Sequence, residues 1–308
     1  MLILSFIVKQ LLRITKWGRT MSQPSAFKSP EGEAAYLAAY DATLKLWPVT
    51  YEEIEVSSRF GTTHVVTSGP EDAPPLVLLH GFMNTLLIWS PNIADLSRAY
   101  RVNAIDIMGH PSKSIPDEPI RDAGDYAEWL TATLNELGLD RVIMVALSFG
   151  AWLALNLAIT APERVRKLAL LSPAASFLPI VKQFALRGIL SRLPPQRYWF
   201  DSFMGWMGFS YDQVNADAQR VLDLMYLGGM NFQMSQETMR VMPSVFSDDE
   251  LQGLRVPVLL LIGENEVIYD AAEALARARR LIPDFRGELV PECSHDMSFS
   301  QYRIVDAR

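Results

Sequence analysis

Five short apolar runs constrain this chain more than any other feature: PLVLL at 75–79, YRVNAIDI at 100–107, RVIMVAL at 141–147, KLALL at 167–171 and VPVLLLI at 256–262. They are nearly continuous rather than alternating, so each reads as a strand buried on both faces, and such strands belong to a parallel sheet covered by helices. The segments between them fit that reading. DYAEWLTATLNELGLD carries Asp125 and Glu128 at capping-box spacing and Gly138 where a helix would stop, and GAWLALNLAITAPE follows the third run. Strand and helix in repeated alternation predict a doubly wound, mostly parallel α/β sheet.

Ahead of these runs, YEEIEVSS and THVVTSG alternate around Gly61 as a half-exposed hairpin would, and a weaker GELV follows at 287–290, which brings the expected count to eight strands. EGEAAYLAAYDATLKLW reads as a helix with Ala35, Leu37, Tyr40, Leu44 and Leu46 near one face. Between Pro173 and about Ser247 the alternation breaks and Met and aromatic residues crowd together, which predicts a helical cap inserted after the sixth strand. The expected division is a leader and helix over 1–50, an α/β core over 51–173 and 248–308, and the cap over 174–247.

With 49% hydrophobic and 20% charged residues, the 308-residue chain can bury a sizeable core. A net charge of −7 offers no broad positive field, so no nucleic-acid partner is expected. A single cysteine, Cys293, rules out an intrachain disulfide and any multi-cysteine metal site, and suits a reducing cytoplasm. The four histidines are scattered, without metal-ligand spacing, and no phosphate-cradling glycine loop follows a strand, so neither metal nor cofactor is expected. Residues 1–20 place Ile3, Ile7, Leu11 and Ile14 on one helical stripe and Lys9, Arg13 and Lys16 on another, the pattern of weak membrane-surface contact, although Met21 is an alternative start.

Working groups of an open α/β sheet sit at the carboxyl ends of its strands. Here those ends read LHGF, DIMGHPSKS, ALSFG, IGENEVIYD and PECSHD, so a serine, an acid and a histidine arrive in the order Ser148, Glu266, His295. A neutral serine needs a base within reach and a third group that orients the base. The pattern small-x-Ser-x-Gly between strand and helix makes the sharp turn that exposes such a serine.

By these motifs, in order and spacing from about Tyr51 to His295, the chain resembles the α/β-hydrolase superfamily, and within it small bacterial carboxylesterases. The resemblance implies Ser148 as nucleophile, Glu266 as acid, His295 as general base, and the backbone N–H groups of Phe82 and Phe149 as the oxyanion hole. Glu264 and Asp270 share the acid loop as alternatives. His64 falls in a hairpin strand, and His80 and His110 in turns, where packing roles are expected. Three departures stand out: Ala146 replaces the first elbow glycine, the acid is Glu rather than Asp, and Ser294 precedes His295 where glycine is usual. Only a short helix follows His295, which would seat that ring less firmly. An apolar pocket under the cap implies a small-molecule substrate, a neutral hydrophobic ester of short to medium acyl chain. The alternatives are a lactonase or carbon–carbon bond hydrolase with the same triad, or a non-catalytic binding protein on this fold.

Overall fold

The computed structural model describes residues 26–191, 193–194 and 196–308, so the amphipathic pattern expected of residues 1–20 lies outside the described residues. Helix α1 (Pro30–Leu44) precedes the hairpin β1 (Tyr51–Ser58) and β2 (Gly61–Ser68), and then β3 (Pro75–Leu79), α2 (Ser90–Leu96), β4 (Arg101–Ile105) and β5 (Ile115–Pro116). The alternation continues with α3 (Ala123–Glu136), β6 (Val142–Leu147), α4 (Phe149–Thr160) and β7 (Val165–Leu171). Between β7 and β8 (Val258–Gly263) come α5 (Lys182–Leu190), α6 (Gln196–Trp206), α7 (Ala216–Asn231), α8 (Gln236–Arg240) and α9 (Asp248–Gln252), with no strand among the described residues. The chain closes with α10 (Ala271–Leu281), β9 (Phe285–Val290), α11 (Met297–Ser300) and α12 (Tyr302–Asp306).

The sheet order is β1-β2-β4-β3-β6-β7-β8-β9. The pairs from β4 to β9 are parallel, and β1 and β2 are antiparallel additions at one edge. This is the expected doubly wound sheet of eight strands plus a two-residue ninth, β5, which pairs with β2 off the main path. Two residues ending in proline carry no periodicity that could have announced it. β6 sits near the middle of the order, and its carboxyl end, at Leu147, opens onto a cavity.

Three local expectations are corrected. Helix α1 buries Gly32, Tyr36, Tyr40, Thr43 and Leu44, while Ala35 is exposed and Leu46 lies outside the helix at 39% exposure. The buried stripe follows the i, i+4 spacing of Gly32, Tyr36 and Tyr40 because α1 packs on α7: a Cβ on Gly32 would meet Asn231 Oδ1 at 2.6 Å, and Lys28 N–H donates to Asn231 O at 2.8 Å. Helix α3 starts one turn earlier than the Asp125–Glu128 spacing implied. Its cap is Asp122, extended at φ −156°, whose side chain accepts from Asp125 N–H, while Glu128 pairs with Arg59 outside the cap. Gly138 does close that helix, at φ 70°.

The hairpin is half-exposed only in β1. All of β2 except Thr62 is buried, and its polar side chains are bonded: Trp129 Nε1 donates to Thr63 Oγ1 (2.8 Å), Trp47 Nε1 to Ser68 Oγ (3.0 Å), and Thr67 Oγ1 to Asn103 Oδ1 (3.1 Å). Buried polar groups persist when partnered, so alternation in β2 marked a hydrogen-bonded interior face rather than a solvated one.

Candidate active site

Ser148 stands between β6 and α4 at φ 52°, ψ −112°. A non-glycine residue held there costs about 1–3 kcal/mol and persists only when its surroundings over-determine it. They do: Ser148 N–H donates to Leu171 O at 2.9 Å, and Ser148 O accepts from Trp152 and Ala174 N–H, each at 3.1 Å. Two residues on, a Cβ at Gly150 would lie 2.5 Å from His80 O and 2.6 Å from Leu79 O, so only glycine lets α4 begin this close to β3. Ala146, the substituted elbow position, is fully buried within β6 between Leu79 and Leu170 and fits the ladder as it stands.

Glu266 and His295, on the loops after β8 and β9, meet. His295 Nδ1 donates to Glu266 Oε2 at 2.9 Å, while Glu266 Oε1 accepts from the N–H groups of Val267 (2.8 Å) and Ile268 (3.1 Å). Burial opposes charge on Glu266, but the His295 ring, the Ser172 hydroxyl and Ile268 N–H outweigh it and hold the carboxyl below its usual range. Burial likewise opposes charge on His295, and Glu266 overcomes it, raising the imidazole above its ordinary value. Of the other acids in this loop, Glu264 is exposed and Asp270 caps α10 through Glu273 N–H at 2.8 Å.

The seat of His295 is firmer than the short C-terminal stretch implied. His295 N–H donates to Met207 O at 3.1 Å, and Gly263 lets the loop press close, since a Cβ there would meet Ser294 O at 2.2 Å. The final helix is itself tied down by Asn92 Nδ2 donating to Asp306 Oδ1 at 2.7 Å.

Ser148 and His295 line one cavity of about 190 Å³. Among the described residues no hydrogen bond joins the two side chains, and a bond between nucleophile and base often closes only as substrate is bound. Gly81, Phe82, Met83 and Asn84 form one wall, and Phe184, Phe203, Met204 and Met207 from α5, α6 and the turn after it form much of the roof. The N–H groups of Phe82 and Phe149, one after the β3 end and one at the first position of α4, have no acceptor among the described residues.

His80 Nε2 accepts from Ile107 N–H at 2.9 Å, so its Nδ1 carries the proton and donates to Gly81 O at 2.8 Å. His110 Nδ1 accepts from Met83 N–H at 3.1 Å. Burial pushes both imidazoles down, so both are neutral struts of the turn. His64 joins a buried cluster instead, with Nδ1 on Asp106 Oδ2 and Nε2 on Glu53 Oε2, both at 3.0 Å. Sequence reasoning missed the wall residues Met83 and Asn84. Their only signal was position beside a strand end. Among the described residues no group of three or more His, Cys, Asp or Glu side chains could hold a metal ion, and no helix is long and apolar enough to cross a membrane.

A family model described as the alpha/beta hydrolase fold matches residues 74–301. The chain belongs to the α/β-hydrolase fold family. Within that family, carboxylesterase YbfK of Bacillus subtilis is 36% identical over 92% of this hydrolase and 94% of its own length. The crystal structure of naproxen esterase from Bacillus subtilis superposes with a TM-score of 0.84 at 37% identity, covering 91% of this chain and 98% of that one. The crystal structure of carboxylesterase CesB (YbfK) from the same organism gives 0.81 at 34% identity, covering 90% and 96%. By that likeness the hydrolase is of the carboxylesterase type.

Proposed function

We propose that this hydrolase cleaves neutral, hydrophobic carboxylic esters of short to medium acyl chain through an acyl-enzyme at Ser148. The observation that carries the reading is the strained elbow placing Ser148 on the same cavity as a His295 ring already oriented by buried Glu266. His295 Nε2 takes the Ser148 proton as Oγ attacks the ester carbonyl, and the N–H groups of Phe82 and Phe149 receive the developing oxyanion. The proton then passes to the leaving alkoxide, the alcohol departs, and water activated by the same ring hydrolyses the acyl-serine. Glu266 fixes the Nδ1–H tautomer and stabilises the imidazolium while it exists.

The relatives named carboxylesterases support the ester bond, and the Phe and Met side chains of the cavity support a neutral, apolar substrate. Division into a core and a helical cap over 174–247 accords with α5, α6 and α7 supplying the roof. The test is labelling with a fluorophosphonate, followed by turnover of p-nitrophenyl esters of rising chain length beside a lactone panel, with Ser148→Ala as control. Labelling that vanishes in the variant, with ester turnover dominant, is expected. Lactone turnover far above ester turnover, or labelling that survives Ser148→Ala, overturns the reading.

A further inference from the structure

One polar group in the cavity has no part in the chemistry above. Asn84 lies on the wall at 3% exposure, and its backbone N–H closes the Gly81–Asn84 turn on Gly81 O at 3.4 Å, so it belongs to the same turn as the Phe82 amide. Thr85 N–H approaches the side-chain amide at 2.8 Å. A backbone N–H can only donate, so the atom it meets is the carbonyl oxygen and the other end is the NH₂ group. Among the described residues that NH₂ has no partner. The other neutral polar side chain on the wall outside the Ser148–His295 pair, Ser191, is committed, its hydroxyl donating to Gly188 O at 2.8 Å.

We infer that Asn84 Nδ2 is a specificity-determining donor that selects esters carrying a second hydrogen-bond acceptor, such as an ether or carbonyl oxygen, on one arm. A hydrocarbon ester covers this amide without satisfying it, and a buried donor left unpaired disfavours the complex. An ester with an oxygen in reach exchanges water for a neutral hydrogen bond, worth about tenfold in relative kcat/KM. The inference rests on the reading of the site as an esterase and adds to it a substrate class.

The experiment compares two isosteric pairs in which one CH₂ becomes oxygen: p-nitrophenyl butyrate with p-nitrophenyl methoxyacetate, and butyl butyrate with 2-methoxyethyl butyrate. Each ratio of kcat/KM is measured at pH 8 for the wild type, Asn84→Leu and Asn84→Asp, so that intrinsic reactivity cancels between enzymes. Asn84→Asp retains an oxygen for Thr85 N–H but has no donor once ionised, which separates a bracing role from a donating one. The acceptor-to-hydrocarbon ratio should fall about tenfold in both variants for at least one pair. Ratios unchanged in both variants, or a fall in Asn84→Leu that Asn84→Asp restores, overturn the inference. Fluorophosphonate labelling distinguishes the two failures: labelling with unchanged ratios refutes the role of Asn84 alone, and absence of labelling refutes the esterase reading as well.

Discussion

Replacing Glu266 with glutamine reads the orienting role directly, because the structure dictates how the new amide must sit. Val267 and Ile268 N–H both donate to Oε1, at 2.8 and 3.1 Å, so the glutamine oxygen occupies that place and its NH₂ faces His295 Nδ1, where Oε2 now accepts at 2.9 Å. A donor cannot face N–H. The ring therefore shifts its proton to Nε2, the nitrogen that has to accept the Ser148 proton, and it loses the charge that stabilises the imidazolium. A wrong tautomer of this kind costs about 10⁴-fold in kcat, which corresponds to about 5.4 kcal/mol of transition-state stabilisation. Glu266 raises His295 above its ordinary value, and only the neutral ring is a base, so wild-type activity should climb with pH through that raised value. The residual activity of Glu266→Gln should climb at lower pH, because burial remains and the opposing charge is gone. The assay is kcat/KM against pH for wild type, Glu266→Gln and the exposed control Glu264→Gln, with Tm measured alongside. Equal losses in the two variants, or a Glu266→Gln loss below tenfold, would refute the reasoning.

Gly150→Ala should lower kcat by about 100-fold and also lower Tm, since the new Cβ meets backbone oxygens at 2.5 and 2.6 Å that cannot swing aside; kinetics near wild type would show that the elbow relaxes. Cys293 should resist iodoacetamide in the native protein at pH 8, read by intact mass, because burial and the nearby Asp296, Glu266 and Glu264 carboxylates push its thiol up to about 12. Asp106→Ala should cost about 3–5 kcal/mol in denaturant unfolding at pH 7, as it leaves Tyr40 Oη, His64 and Leu86 N–H without their buried acceptor. Burial opposes charge on Asp106, yet the His64 ring, by hydrogen bond and charge, and Leu86 N–H hold its carboxyl below the usual range. Its contribution is therefore present above the unfolded value near 3.9 and is lost as pH falls through the folded one, which acid unfolding of wild type against variant would show.

The sheet was legible because strands buried on both faces leave continuous apolar runs, and the elbow because strand, serine and glycine are local to one another. What failed was what depends on neighbours distant in sequence. The face of α1 is decided by α7, far along the chain, and its buried stripe keeps the expected Tyr40 and Leu44 but takes Gly32 and Tyr36 in place of Ala35, Leu37 and Leu46. The cap of α3 was misplaced because Asp122 and Asp125 offer the same spacing as Asp125 and Glu128, and the pattern cannot tell a capping carboxylate from one bonded to Arg59.

The Glu53–His64–Asp106 cluster shows the same limit at the site. Its members come from three strands or strand ends, joined by the β1–β2 register that sets Glu55 opposite His64, with Glu53 two residues along on the same face, and by Asp106 N–H donating to His64 O at 3.0 Å. Lys113 adds its ammonium to Asp41 at 2.6 Å and Glu53 at 2.7 Å, and Tyr40 its hydroxyl to Asp106 at 2.7 Å. This polar network has a consequence for catalysis. Asp106 Oδ1 also accepts from Leu86 N–H at 2.9 Å, just after the turn that carries Phe82 and Asn84, while His80 and His110 brace the same turn at Gly81 and Met83. An oxyanion donor is effective only if it is already aimed before charge develops. Under the mechanism proposed above, the Phe82 amide is aimed by His80 and His110 directly and by His64 through Asp106, none of which lines the cavity.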